Sequence, residues 1–244
     1  MKRFSCKDHG FFDKLEAALA ASTHDPEVER VVSEIVRSVR GKGDEALVAF
    51  TERFDGVDLS ADNLRVSQEE LSAASTVLDS ENLKAIKEAM ENVDYFNSKS
   101  HPENWEATNS HGGTVGERHY PIQRVGVYVP GGRVPLVSTV IMIVTLAKAA
   151  GVPEIAVATP PQSDGSISPV LLAALSLCNV DEVYKVGGAQ AIAAFAHGTA
   201  SIKRVDKIFG PGNAYVNEAK RQVFGTVGID LLPGPSEVMV IADD

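Results

Sequence analysis

The sequence predicts an α/β protein: a mostly helical first half, then a parallel sheet covered by helices on both faces. Three observations carry this expectation. From residue 124 onward, short apolar segments alternate strictly with helix-like patterns, the order that a parallel sheet with crossover helices requires. Those short segments are mostly apolar, as in strands buried on both faces. Charge is also unevenly spread. Residues 1–120 hold 14 basic and 23 acidic side chains, residues 121–244 only 9 and 10. Solvated surface therefore concentrates in the first half, and a boundary near residue 120 is the simplest division.

The first half reads as helices with local start and stop signals. Asp25-Pro26-Glu27 joins a capping side chain, a proline where a missing N–H does no harm, and an acid near the positive helix end. Val28, Val31, Val32, Ile35, Val36 and Val39 follow at helical spacing, and Gly41 and Gly43 are expected to end that helix. A second helix carries Ala46, Leu47 and Phe50 and closes at Gly56. Ser67 and Glu70 form a capping box before Leu71. Ser80 opens a longer helix with Leu83, Ile86, Met90, Val93 and Phe96 on one face. These amphipathic faces need a partner surface, and nothing in them points to chemistry.

The second half gives strands at Arg124–Val129, Glu154–Ala158, Glu182–Val186, Val205–Phe209 and Val238–Ala242. Between them lie helices at Leu136–Ala150, Ser168–Cys178, Ala189–His197 and Asn213–Phe224. A weak repeat leads into three of the strands: Val152-Pro-Glu-Ile155, Val180-Asp-Glu-Val183 and Ile202-Lys-Arg-Val205. Its spacing is too irregular for a solenoid.

Composition excludes several classes. The formal net charge is −10, which argues against nucleic acid, whose phosphates need clustered Lys and Arg. The longest apolar run, Val137 to Ala150, contains Ser138, Thr139, Thr145 and Lys148 and is too short and polar to cross a bilayer. Cys6 and Cys178 are far apart and in no metal-ligand spacing, and no signal peptide is present. These features fit a soluble protein of the reducing cytoplasm with no membrane partner.

In a parallel sheet, ligands bind at the carboxyl ends of the strands. Here each strand ends in a turn-forming cluster: Pro130-Gly131-Gly132, Thr159-Pro160-Pro161, Gly187-Gly188-Ala189-Gln190 and Gly210-Pro211-Gly212-Asn213. Leu232-Pro-Gly-Pro-Ser-Glu237 precedes the last strand. Glycine allows close backbone approach, and a helix starting after such a turn points free N–H groups at a ligand. Each turn alone is equally a tight connection; the set suggests a nucleotide or phosphate cleft. There is no G-x-G-x-x-G, P-loop, G-x-S-x-G or H-E-x-x-H.

Four of these stretches, in order, resemble histidinol dehydrogenase: Gly126-Val-Tyr-Val-Pro-Gly-Gly132, Val186-Gly-Gly-Ala-Gln-Ala-Ile-Ala193, Asp206-Lys-Ile-Phe-Gly-Pro-Gly-Asn213 and Gly234-Pro-Ser-Glu237. Glu218-Ala-Lys-Arg-Gln222 and Gly228-Ile-Asp230 fit as well. The resemblance implies NAD-dependent oxidation of L-histidinol to L-histidine through the aldehyde, with bound Zn2+, in a homodimer. It implies two α/β domains of incomplete Rossmann type, one inserted in the other. Residues 1–24 would be an amino-terminal segment and 25–124 the helix-rich first part of the split domain. Residues 125–237 would be the inserted Rossmann-like domain and 238–244 the start of the return.

By position, the resemblance implies that Tyr128, Gln190 and Asn213 contact NAD and that Ser236 contacts the substrate. Each also has a plain structural reading. Tyr128 suits a strand, Asn213 a helix cap, Gln190 a backbone bond near a helix start, and Ser236 a Pro-flanked turn. Asn213 is expected both to cap and to bind. The family's zinc ligands and acid/base residues fall beyond residue 244, so no catalytic or metal residue is expected within this chain. The six histidines (9, 24, 101, 111, 119 and 197) show no paired ligand spacing. The chain is therefore expected to be a truncated form, inactive by itself. The alternative is a non-catalytic nucleotide-binding module or an inactive fragment.

Overall fold

The computed structural model describes residues 3–20, 25–74, 76–131, 135–234, 238 and 240. Helix α1 spans Phe11–Ala20. Helix α2, Pro26–Lys42, starts as its sequence demands, with the Asp25 carboxylate accepting the Glu27 N–H at 2.9 Å. It runs through Gly41 and stops only at Gly43, one step beyond the first expected breaker. Helix α3, Asp44–Asp55, closes at Gly56. After a short 3-10 turn at Ala61–Asn63 comes α4, Gln68–Ala74, with the reciprocal capping box in place: Ser67 N–H donates to Glu70 and Glu70 N–H to the Ser67 hydroxyl. Helix α5, Ser80–Lys99, opens at Ser80 as expected, and the Asp79 carboxylate caps it. Phe96, assigned to its apolar face, is exposed.

The helical reading of the first half missed one element. Strands β1, Trp105–Thr108, and β2, Thr114–Glu117, pair as an antiparallel hairpin. Both strands are exposed throughout, so no alternation of polarity marks them. The signal lies in the turn, where Asn109 Oδ1 accepts the N–H groups of His111 and Gly113.

The second half follows the predicted alternation: β3 Arg124–Tyr128, α6 Val137–Ala149, β4 Glu154–Thr159, α7 Pro169–Leu177, β5 Glu182–Lys185, α8 Gly188–His197, β6 Lys207–Phe209 and α9 Ala214–Val223. A two-residue strand β7, Gly228–Ile229, was not expected and extends the sheet beside β6. The strand expected at Val238–Ala242 lies almost wholly outside the described residues, as do Gly132 and the segment 235–237.

All five strands of the main sheet are parallel, in the order β5-β4-β3-β6-β7. Counted within the sheet, among the described residues, this is 3-2-1-4-5, the first five places in the order of an open doubly wound sheet. One apolar core joins α2, α3, α8 and α9 to one face, through Val32, Ile35, Leu47, Phe195 and Val216. The other joins α4, α6 and α7 to the opposite face, through Leu71, Val144, Leu172 and Leu175. The amphipathic helices of the first half thus find their partner surface on the helices that flank this sheet: α2 packs on α8 and α9, α4 on α7, and α5 on α6.

At the amino ends of the strands, the buried Arg124 guanidinium donates to Glu154 at 2.9 Å and to both carboxylate oxygens of Glu182. These glutamates occupy equivalent positions in the weak repeat, so that repeat supplies two carboxylates to one cation. Burial pushes the Glu182 carboxyl up, but hydrogen bonds from Arg124 and Tyr184 outweigh it and hold it below the usual range. This edge is structural. The opposite edge is open.

Candidate functional site

At the carboxyl ends of the strands lies a cleft of about 950 Å3, within the range of cofactor sites. Three turns meet beneath it on Pro160. A Cβ on Gly131 would lie 2.4 Å from the Pro160 ring and one on Gly187 2.6 Å from it. Only glycine lets the turns after β3 and β5 close over the turn after β4.

Tyr128 ends β3 and is 4 % exposed. Its oxygen accepts the Gly188 N–H at 3.1 Å, one of the free donors at the start of α8. Burial raises the phenol above its ordinary pKa and the nearby Asp55 raises it further, against the Gly188 bond. The hydroxyl therefore stays neutral, with its proton available to a ligand.

Gln190 stands in the first turn of α8 and lines the cleft at 2 % exposure. The Gly187 cap supplies no side chain, so the remaining first-turn N–H groups of α8 gain no side-chain cap from it. Asn213 caps α9: its Oδ1 accepts the N–H groups of Tyr215 and Val216, each at 3.1 Å. The cap uses only Oδ1 and not the amide N–H2 donors, and the residue lines the cleft. Thus Tyr128, Gln190 and Asn213, 85 residues apart at the extremes, border one space. Ser236 lies outside the described residues.

The turn leading to Asn213 is held from below. Gly210 N–H donates to Asp230 Oδ2 at 2.9 Å. Lys220 Nζ, 1 % exposed, donates to Asp230 Oδ1 at 2.7 Å and to the Gly210 carbonyl at 2.5 Å. Neither residue suggested this role in the sequence; both sit in the flanking stretches that fit the resemblance.

The structure corrects one expectation of the sequence reading. The first-half helices were assigned no chemistry, yet α2 contributes Val31 and Ile35 to the cleft and the end of α3 contributes Arg53, Phe54 and Asp55. Phe54 stacks on Phe50 with ring centroids 5.7 Å apart, and the Arg53 guanidinium lies over Phe54 at 5.2 Å. Asp55 Oδ2 is buried without a hydrogen-bond partner among the described residues, and burial raises its carboxyl to about 6. Its folded pKa lies above the unfolded one, so ionisation between about pH 4 and pH 6 withdraws stability as pH rises. No helical periodicity marks residues at the end of a helix as site residues.

Among the described residues, no group of three or more His, Cys, Asp and Glu could hold a metal. His197, at the end of α8, has its imidazole pushed down by burial and by Arg40 and Arg204. No helix among the described residues is long and apolar enough to cross a membrane. Cys6 and Cys178 are both free thiols.

Comparison with known proteins agrees along nearly the whole chain. A family model described as Histidinol dehydrogenase matches residues 19–244. A histidinol dehydrogenase of a Synechococcus species is 50 % identical over 224 residues, covering 91 % of this chain and 52 % of that protein. One from Syntrophotalea carbinolica is 45 % identical over 244 residues, 100 % of this chain and 56 % of that one. The crystal structure of histidinol dehydrogenase from Elizabethkingia anophelis superposes with a TM-score of 0.82 at 36 % identity, covering 87 % of this chain and 48 % of that chain. The chain spans about half the length of the curated relatives it matches.

Proposed function

This chain belongs to the histidinol dehydrogenase family, and from that premise we propose that its cleft holds NAD+ for the two-step oxidation of L-histidinol to L-histidine. One observation supports this most: Tyr128, Gln190 and Asn213 border a single cleft at the carboxyl ends of a 3-2-1-4-5 parallel sheet. The fit to a dinucleotide rests on the donor set. The start of α8, whose Gly187 cap supplies no side chain, leaves first-turn backbone N–H groups beside Ala189 and Gln190 at the cleft edge, suited to a diphosphate. Phe54 and Tyr215 supply partly exposed rings, suited to flat aromatic groups. Tyr128 and Asn213 offer an O–H and an N–H2 group, and Gln190 both donates and accepts. When bound, NAD+ accepts the hydride removed from the substrate carbon. The residues described here bind and orient it.

In the complete protein the zinc ligands and the acid/base pair would lie downstream of the Gly234-Pro-Ser-Glu237 segment, as the resemblance implies. Ser236 is proposed as a substrate contact. The division into residues 25–124 of a split domain and 125–237 of an inserted one, the homodimer and the cytoplasmic location belong to the same proposal. The competing reading is a nucleotide-binding unit without chemistry.

The test uses the complete natural chain. With zinc, L-histidinol and NAD+, it is expected to produce NADH; no histidinol-dependent NADH overturns the proposal in favour of the binding unit. Gln190→Ala and Asn213→Ala are each expected to weaken NAD+ binding about tenfold and to leave zinc content unchanged. Unaltered affinity in both removes the site assignment. Ser236→Ala should raise the KM for histidinol more than that for NAD+, and the reverse pattern counts against it.

A further inference from the structure

We infer that Asp55 is the residue that reads the ribose of the dinucleotide, accepting hydrogen bonds from its vicinal hydroxyls and excluding a phosphorylated ribose. The inference rests on the reading of the cleft as an NAD+ site. Four observations carry it. Asp55 is the one carboxylate among the described residues lining the cleft. In a sheet of this strand order, the acid that binds the ribose ordinarily stands near the carboxyl end of the second strand. Here that strand is β4, and it ends in Thr159-Pro160-Pro161, which offers no acid. The acid that borders this cleft comes instead from the end of α3, near Tyr128.

The chemistry of the free group also fits. An ionised carboxylate is acceptor-only, so it matches two hydroxyl donors and repels a phosphate. Asp55 Oδ2 is buried and has no partner among the described residues. The neighbouring cation does not serve it: the Arg53 guanidinium lies over the Phe54 ring instead. Finally, a buried acceptor left without a donor disfavours the folded chain, and the carbonyl end of a helix is a poor place for negative charge. Asp55 lines the cleft although its Oδ2 is shielded from solvent, and a ligand hydroxyl that reaches the carboxylate removes the first of these costs.

The experiment is calorimetric titration of the complete natural chain with NAD+ and with NADP+, for the unaltered protein, Asp55→Asn and Asp55→Ser. The unaltered protein is expected to prefer NAD+. In Asp55→Asn, NAD+ should bind about tenfold more weakly and NADP+ no more weakly than before, so the preference falls at least tenfold. Melting at pH 8 without nucleotide should be no lower for Asp55→Asn than for the unaltered protein. An unchanged preference in both variants, with NAD+ still bound by the unaltered protein, overturns this inference and leaves the cleft assignment standing. Marked loss of melting stability in both variants also overturns it, by giving Asp55 a structural role. Failure of the unaltered protein to bind either dinucleotide overturns the cleft assignment and this inference together.

Discussion

Gly210→Ala is expected to abolish dinucleotide binding and to cost at least about 4 kcal/mol of folding stability, the range reached when a core position is overfilled and its backbone strained. Gly210 has φ +126°, and a Cβ there would stand 2.0 Å from the Tyr128 carbonyl oxygen and 2.9 Å from its carbon. Both are backbone atoms of β3, whose neighbours β4 and β6 pair with it on either side. The strand cannot yield without breaking ladder bonds, so the turn after β6 must move. That turn carries Asn213 and stands beside Tyr128, at the point where the strand order reverses. Gly225→Ala is the matched control. Gly225 also has positive φ, +93°, but open space around its missing Cβ. It should cost about 1 kcal/mol from backbone strain alone and leave NAD+ binding unaltered. Urea unfolding with a titration of each variant makes the measurement. Equal costs for the two would mean that the contact with Tyr128 does not decide the fold of this turn.

Lys220→Met is expected to cost about 3 kcal/mol and to weaken NAD+ binding about tenfold, though Lys220 does not line the cleft. Its buried ammonium neutralises Asp230 and holds the Gly210 carbonyl, while Asp230 holds the Gly210 N–H. Removing the cation leaves a largely buried carboxylate and a carbonyl without their partner, the costly way to break such a pair. The double variant Lys220→Met, Asp230→Leu should recover part of the stability, because no charge is then left unpaired. It should not recover the binding, because the Gly210 N–H then loses its acceptor as well as the carbonyl its donor. A single variant that costs under about 1 kcal/mol would show that water satisfies Asp230 and that the pair does not hold the turn.

Much of the fold was legible because its signals are local. Apolar runs after residue 124, helix caps at Asp25, Ser67 and Asn213, and glycine turns at the strand ends each involve groups within four residues of one another. The small errors are local too: α2 passes through Gly41 because one glycine costs only about 1 kcal/mol in a helix whose buried face holds it. The hairpin β1–β2 and the strand β7 were missed because neither buries a periodic face that composition could reveal.

Of the site, the sequence by itself determined the strand-end turns, since a glycine turn before a helix start is a contiguous pattern; the three polar residues beside them were implied by the resemblance to the family. What converges on those turns was decided only in three dimensions. Asp55 reaches the cleft from α3 because an apolar face of α2 and α3 packs on α8, far along the chain. Arg124 gathers glutamates 30 and 58 residues away. Lys220 and Asp230 are ten residues apart on different elements and meet only because β7 runs beside β6. A sequence pattern records which groups are near along the chain; the pairing of strands and the burial of helix faces decide which distant groups share one low-dielectric space, and that is where a carboxylate, an ammonium or an amide acquires its role.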